Sequence, residues 1–154
     1  MLAAGDSAPD FELISVEGSK RRLTDFVSGK PALVTFFKVS CPVCQLTLPF
    51  VERLSKSDNL EFIAISQDDL DATEQFRKQF GVTFETLLDE PGKGYPASNA
   101  FAITHVPSMF LIEPDRNISL AVSGFSKRDL EAIGKIAGVE PFRPGEKTPD
   151  FKSG

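Results

Sequence analysis

Two cysteines, Cys41 and Cys44, are the residues of this chain whose type and spacing point most directly to chemistry. They are its only cysteines, and they lie in the segment Ser40-Cys41-Pro42-Val43-Cys44. A disulfide between them would close a very small loop, so it would remove little entropy from the unfolded chain. The spacing instead lets one sulfur reach the other on the first turn of a helix. The pair is therefore interpreted as a dithiol that exchanges disulfides.

The two thiols are expected to have different roles. Cys41 follows an apolar run that predicts a buried strand, and a helical pattern begins just after it. Free backbone N–H groups and the positive end of the helix dipole stabilise a thiolate at such a junction, so we expect Cys41 to be the exposed, acidic nucleophile. Cys44 lies one turn deeper and is expected to resolve the mixed disulfide. Pro42 suits the first helical position, where its missing N–H is not needed.

The sequence allows two other interpretations of the cysteines. A zinc site would need two further soft ligands, and the chain offers only His105 besides the cysteines. Two inert core cysteines would make the Cys-Pro-Val-Cys motif at a strand-to-helix junction a coincidence. We therefore expect no metal and no organic cofactor.

Composition limits the class of protein. The 154 residues fit one ordinary domain, with 41% hydrophobic and 25% charged residues. The net charge of −5 argues against a nucleic-acid surface, which needs clustered Lys and Arg. No apolar run of about 18 residues predicts a membrane span. The first residues lack a signal-peptide pattern, so the chain as written is expected to be cytoplasmic, or periplasmic if a leader was removed.

The elements that must position the cysteines follow from hydrophobic periodicity. The predicted strands cover 11–14, 21–23, 31–37, 60–66, 84–88, 108–112 and 118–122, and the predicted helices cover 43–54, 69–80, 97–101 and 126–137. This order predicts an α/β domain over residues 1–140, with a sheet of mixed strand direction. The remainder, 141–154, is rich in Pro, Gly and charge and is expected to be an extended or disordered tail.

Three segments resemble the thioredoxin-like redoxins, which include TlpA-like disulfide reductases and AhpC/TSA-type peroxiredoxins. They are Gly5–Leu13, Cys41–Cys44 and Val106–Ile112. The resemblance implies a thioredoxin-like fold, with a central mixed β-sheet flanked by helices and an N-terminal β-hairpin extension. It also implies a thiol–disulfide oxidoreductase of cell redox homeostasis, working as a monomer or weak dimer with a protein partner and an upstream electron donor.

The same resemblance assigns the docking residues. Pro107 should be a cis-proline facing the cysteines, and Val106 should pair with an extended segment of the partner by strand addition. Pro42 and Val43 should line the same surface. The alternative is a trans proline that opens a strand.

The chain departs from the family at several positions. Ser40 replaces a usual Trp, and Thr35 and Thr47 stand where relatives carry a proton-transferring acid. We therefore expect weak general reductase activity near neutral pH that rises toward alkaline pH. Lys38, Ser40 and His105 are candidate modulators of the thiols, against the alternatives of a solvent-directed Lys and a polar loop His. The acidic run 67–71 is interpreted as a helix N-terminus without chemistry.

Two further functions remain as alternatives. A thiol peroxidase would use Cys41 as the peroxidatic and Cys44 as the resolving cysteine. Peroxiredoxins carry Pro and Thr or Ser seven and three residues before the reactive Cys, where this chain has Val34 and Lys38. The other alternative is a non-enzymatic redox-sensing module on the same fold.

Overall fold

A seven-stranded mixed sheet organises the chain in the computed structural model, which describes all residues 1–154. In spatial order its strands are β2-β1-β5-β4-β3-β6-β7. The bounds are β1 Glu12–Ser15, β2 Lys20–Arg22, β3 Ala32–Phe37, β4 Glu61–Ser66, β5 Thr86–Leu88, β6 Ser108–Ile112 and β7 Ile118–Ser123. A separate two-stranded ribbon joins β8 Phe125–Ser126 to β9 Phe151–Lys152.

Four α-helices accompany the sheet: α1 Pro42–Leu54, α2 Leu70–Phe80, α3 Pro96–Ala100 and α4 Lys127–Ala137. Single turns of 3₁₀-helix lie at Leu23–Asp25 and Pro91–Lys93. Their ends follow local chemistry, since Asp69 and Ser126 accept backbone N–H groups at the starts of α2 and α4. None of the helices combines the length and apolar composition that a membrane span requires.

Strand β3 lies in the interior of the sheet, between β4 and β6, and every one of its side chains is buried. It pairs in parallel with β4 and antiparallel with β6. Alternate side chains face opposite layers: Leu33 packs with residues of α1 and α4, whereas Val34 and Phe36 pack with α3 and the N-terminal segment. Helices therefore pack on both faces of the sheet at β3, with α1 and α4 on one face and α3 on the other.

The expected fold class is confirmed. The sheet is mixed and flanked by helices, and the N-terminal hairpin β1–β2 extends it through antiparallel pairing of β1 with β5. The β8–β9 ribbon was not predicted, because its two-residue strands carry no readable periodicity.

Residues 141–154 follow an extended path over the surface of the domain. The Phe142 ring packs against Phe50 of α1, with centroids 4.8 Å apart. The Arg53 guanidinium donates two hydrogen bonds of 2.7 Å to the Glu146 carboxylate. These bonds lower the pKa of Glu146 to about 2. Composition alone did not reveal these contacts, because each depends on a partner on α1.

Candidate active site

The connection from β3 to α1 places Cys41 at the start of the helix. Cys41 has extended backbone angles, φ −88° and ψ 113°, and its sulfur accepts the backbone N–H of Cys44 at 3.1 Å. The sulfur thus takes the place of an N-cap oxygen, beside N–H groups that have no partner within the helix. An anion on this sulfur is stabilised both by that hydrogen bond and by the helix dipole.

The two thiols differ in exposure as expected. Both are reduced; Cys41 is partly exposed and Cys44 is fully buried. Cys44 packs with Phe37, Leu48 and Phe76 in a small apolar cluster. Burial, followed by the hydrogen bond to Cys41, raises the pKa of Cys44 far above its usual range, while a hydrogen bond from the Lys38 backbone opposes the shift.

The loop before β6 closes the other side of Cys41. The Val106–Pro107 peptide bond is cis, as expected, and the Val106 carbonyl oxygen accepts the Cys41 thiol at 3.5 Å. The N–H of Val106 donates to no group of the chain. A backbone edge with an unpaired donor therefore lies directly beside the exposed sulfur, and an extended polypeptide could pair with it.

A cavity of about 350 Å³ opens over this edge. Its wall includes Cys41 but not Cys44, so a molecule entering it meets the first sulfur alone. The lining residues are Cys41, Gln67, Ile103, Thr104, His105, Val106 and Gly154.

The predicted modulators lie at different places around the two cysteines. His105 is exposed on the cavity wall, and its Nδ1 pairs with the Thr104 hydroxyl at 3.1 Å. Lys38 touches the cysteines through its backbone: its carbonyl oxygen accepts the N–H of Cys41 at 3.2 Å. Its ammonium group forms no salt bridge. Ser40 and Pro42 are exposed at the rim.

Neither threonine at the expected acid positions offers a proton acceptor with a carboxylate's basicity. Thr35 is fully buried, and its hydroxyl has no hydrogen-bond partner. The Thr47 hydroxyl, also buried, donates to the Val43 carbonyl oxygen at 2.7 Å. The deep thiol therefore lacks the acid that relatives carry at these two positions.

Asp68 is a site residue that sequence reasoning missed. Its carboxylate accepts the N–H of Val39 at 2.8 Å, and Gln45 donates to the Val39 carbonyl at 3.1 Å, so both backbone polar groups of Val39 are held. The charge of Asp68 also contributes to the raised pKa of Cys44. Asp68 follows β4, the parallel neighbour of β3, and the carboxyl ends of parallel strands share one edge; that rule could have placed it.

A second missed feature is a buried hydrogen-bond chain that orients Gln67. Asp89 is fully buried and accepts the hydroxyl of Ser98 at 2.6 Å. Because that hydroxyl donates to Asp89, it must accept from Gln67 Nε2, 3.0 Å away. The chain fixes the orientation of the Gln67 amide in the cavity wall, and the Gln67 side-chain oxygen accepts no hydrogen bond from the protein.

The structure brings no group of three or more His, Cys, Asp or Glu side chains together as a metal site.

Comparisons with known proteins agree on the class of chemistry. A sequence model of the AhpC/TSA family matches residues 4–121. The thiol-disulfide oxidoreductase ResA of Geobacillus kaustophilus is 28% identical over 135 residues, which cover 84% of this chain and 75% of that protein. ResA of Bacillus thuringiensis subsp. konkukian is 30% identical over 135 residues, covering 84% and 76%. The thioredoxin domain of a thiol-disulfide oxidoreductase from Bacteroides vulgatus shares the fold, with a TM-score of 0.78, 20% identity and coverage of 89% and 99%.

Proposed function

Because the chain belongs to the AhpC/TSA family and is a thiol–disulfide oxidoreductase, we propose that Cys41 and Cys44 are its redox couple, with Cys41 attacking and Cys44 resolving. Thiol–disulfide oxidoreductases act on protein thiols, so the substrate is a protein disulfide or dithiol. One observation carries the proposal. The sulfur of the partly exposed Cys41 caps α1 and lies 3.5 Å from the carbonyl oxygen of Val106, the residue whose N–H is unpaired.

The exchange proceeds in two substitutions at sulfur. The Cys41 thiolate attacks one sulfur of the partner's disulfide, a new S–S bond forms, and the other partner sulfur leaves as a thiolate. Cys44 then loses its proton and attacks Cys41, which releases the second partner thiolate. Two electrons pass to the partner, and the protein is left with a Cys41–Cys44 disulfide. An upstream dithiol donor reverses these two steps on the protein and returns it to the reduced form.

The partner is held by its backbone. An extended segment of the partner pairs with the N–H and carbonyl of Val106, which sets its sulfur over Cys41. The buried Pro107 follows Val106 directly, and the exposed Pro42 with the half-buried Val43 extends the contact surface. The direction of net electron flow follows from the potential of the compartment relative to that of the couple.

The experiment is insulin-disulfide reduction with a dithiol donor, run beside hydroperoxide consumption. We expect insulin reduction by the parent protein, a loss of about two orders of magnitude or more in Cys41→Ser, and slow hydroperoxide consumption. Asp115→Asn, on the exposed turn between β6 and β7, is the control and should retain the parent rate. Hydroperoxide consumption faster than insulin reduction would favour the peroxidase instead.

The peroxidase alternative is less favoured by the site. Val34, at one position where peroxiredoxins carry a defining residue, is fully buried in the core and offers no polar group. The second such position holds Lys38. The redox-sensing alternative would be supported if both cysteine variants kept every measured exchange rate.

A further inference from the structure

The segment 151–154, here named the strap, runs from the β8–β9 ribbon toward the cysteines. In the ribbon, Lys152 pairs with Phe125 and Phe151 pairs with Ser126 in antiparallel register. Just before the strap, the N–H of Lys127 donates to the Asp150 carbonyl at 3.0 Å. These pairings direct the chain back across the end of β7.

Gly124 allows the strap to pass close to the domain. Its φ is +78°, and a β-carbon built on it would overlap the Lys152 carbonyl oxygen and lie 3.0 Å from the Gly154 nitrogen. The strap backbone therefore fills the space that a side chain would occupy at position 124, which explains why glycine is needed there. The N–H of Gly124 in turn donates to the Pro107 carbonyl at 2.8 Å, so the same residue contacts the cis-proline loop.

Gly154 lies against the Val106 edge, the backbone of Val106 at which a partner is proposed to pair. A β-carbon built on Gly154 would overlap the Val106 carbonyl oxygen, come within 2.8 Å of its carbonyl carbon and lie 3.4 Å from the Pro107 nitrogen. The Val106 oxygen is the one that accepts the Cys41 thiol. Gly154 also lines the cavity that gives access to Cys41.

From these contacts we propose that the strap is an autoinhibitory contact that occupies part of the Val106 edge and must be displaced before a partner's extended segment can pair there. The inference rests on the proposed function, because it assumes that partners dock at Val106. It deepens that function by making access to Cys41 depend on a segment of the same chain.

The contacts of the strap suit a segment that opens readily. β9 has two residues, and an isolated ribbon of this size is marginal. The Phe151 side chain is 58% exposed, so it adds little apolar burial. Upstream, Phe142 and the Arg53–Glu146 pair tether the segment to α1. The tether keeps the strap at a high effective concentration near the edge while leaving its last residues displaceable.

The test compares a protein disulfide with a small one. The reduced protein, a variant lacking residues 151–154, and Gly154→Ala are each reacted with insulin and with 5,5′-dithiobis(2-nitrobenzoate), a small disulfide that needs no backbone pairing. Ser153→Ala is the matched control, because Ser153 is exposed and the substitution leaves the strap backbone unchanged. Gly154→Ala retains the full chain and guards against a folding effect of the deletion.

We expect the deletion to react about three- to tenfold faster with insulin, the scale of a population shift held by one or two hydrogen bonds. Gly154→Ala should change in the same direction, and Ser153→Ala and every rate with the small disulfide should stay within about twofold of the parent. Unchanged or slower insulin reduction by both strap variants, with an active parent, would overturn the strap proposal alone. An absence of exchange with insulin in every form, the parent included, would contradict the proposed function as well.

Discussion

At the residue scale, Cys44 controls how the dithiol responds to pH. Burial in an apolar cluster, with the hydrogen bond to Cys41 second, raises its pKa far above the usual value. The thiol is therefore neutral near pH 7, although it must lose a proton to attack the mixed disulfide. Thr35 and Thr47, at the positions where relatives carry an acid, cannot accept that proton near neutral pH. The second substitution, the attack of Cys44 on the mixed disulfide, therefore lacks a proton acceptor at these two positions.

The first prediction concerns the rate of that step. Breakdown of a preformed mixed disulfide on Cys41 should accelerate about tenfold per pH unit from pH 7 to 9, because the Cys44 thiolate fraction grows by that factor below its pKa. Rapid-quench measurements of mixed-disulfide decay would follow it. Thr47→Glu should raise the rate at pH 7 and flatten the profile, whereas Thr47→Gln, similar in size and uncharged, should not. A parent profile that is already flat would identify another base, with the exposed His105 as the first residue to replace.

The second prediction concerns stability at alkaline pH. The folded pKa of Cys44 is raised, so its contribution is fully present below the unfolded pKa of about 8.5 and is lost as pH rises beyond it. In that range the unfolded chain binds fewer protons than the folded one, and the unfolding free energy should fall by about 1.4 kcal/mol per pH unit from this group.

Urea unfolding of the reduced protein between pH 8 and 10 would measure this slope. Cys44→Ala is the control, because it lacks the titrating thiol and keeps Cys41. The unfolding free energy should fall more steeply with pH in the parent than in Cys44→Ala. Equal slopes would show that the folded state does not hold Cys44 neutral.

At the element scale, three connections meet at the exposed sulfur: β3 to α1, β4 to α2, and α3 to β6. The first could be predicted from sequence, because the buried strand, Pro42 and the helical period all mark the position of Cys41. Pro107 could be predicted from the family resemblance. The position of Asp68 at the same sheet edge could have been inferred from the order of parallel strands, but its hydrogen bond to Val39 could not, because the two residues are 29 positions apart. The hydrogen bond of Gln67 to Ser98, 31 positions away, likewise has no local sequence signal.

The third prediction tests the buried hydrogen-bond chain that supports α3. Asp89 accepts the N–H groups of Ala97 and Ser98 at 2.9 and 2.7 Å as well as the Ser98 hydroxyl. Asp89→Asn replaces one acceptor oxygen by an amino group, leaves a buried donor unsatisfied, and should lower the unfolding free energy by about 1–3 kcal/mol.

Urea midpoints of parent and variant would measure the loss. Asp115→Asn, on an exposed turn, is the control and should change stability by less than about 0.5 kcal/mol. Because Gln67 depends on the same chain, insulin reduction should slow in Asp89→Asn under folding conditions. A variant as stable as the parent would show that the three hydrogen bonds do not anchor α3.

At the scale of the whole molecule, the fold brings the Val106 edge, the Cys41 sulfur and the strap together. The strands, the helices and the mixed strand direction could be predicted because the central strands and amphipathic helices carry their own hydrophobic patterns, whereas the order of the strands in the sheet was not predicted. The path of residues 141–154 could not, because it depends on Phe142 and Glu146 finding Phe50 and Arg53 on α1. A polar, Pro- and Gly-rich segment gives no local signal of such contacts.

Trapping the mixed disulfide distinguishes the attacking cysteine, Cys41, from the resolving cysteine, Cys44. Cys44→Ser is mixed with insulin at pH 7.5, quenched with acid, digested and mapped by mass spectrometry, with Cys41→Ser treated identically. We predict an accumulated mixed disulfide that joins Cys41 to an insulin cysteine in Cys44→Ser, and no comparable adduct in Cys41→Ser, because the buried thiol cannot be reached. An adduct that forms through Cys44 as fast as through Cys41, or no adduct in either variant while the parent reduces insulin, would contradict it.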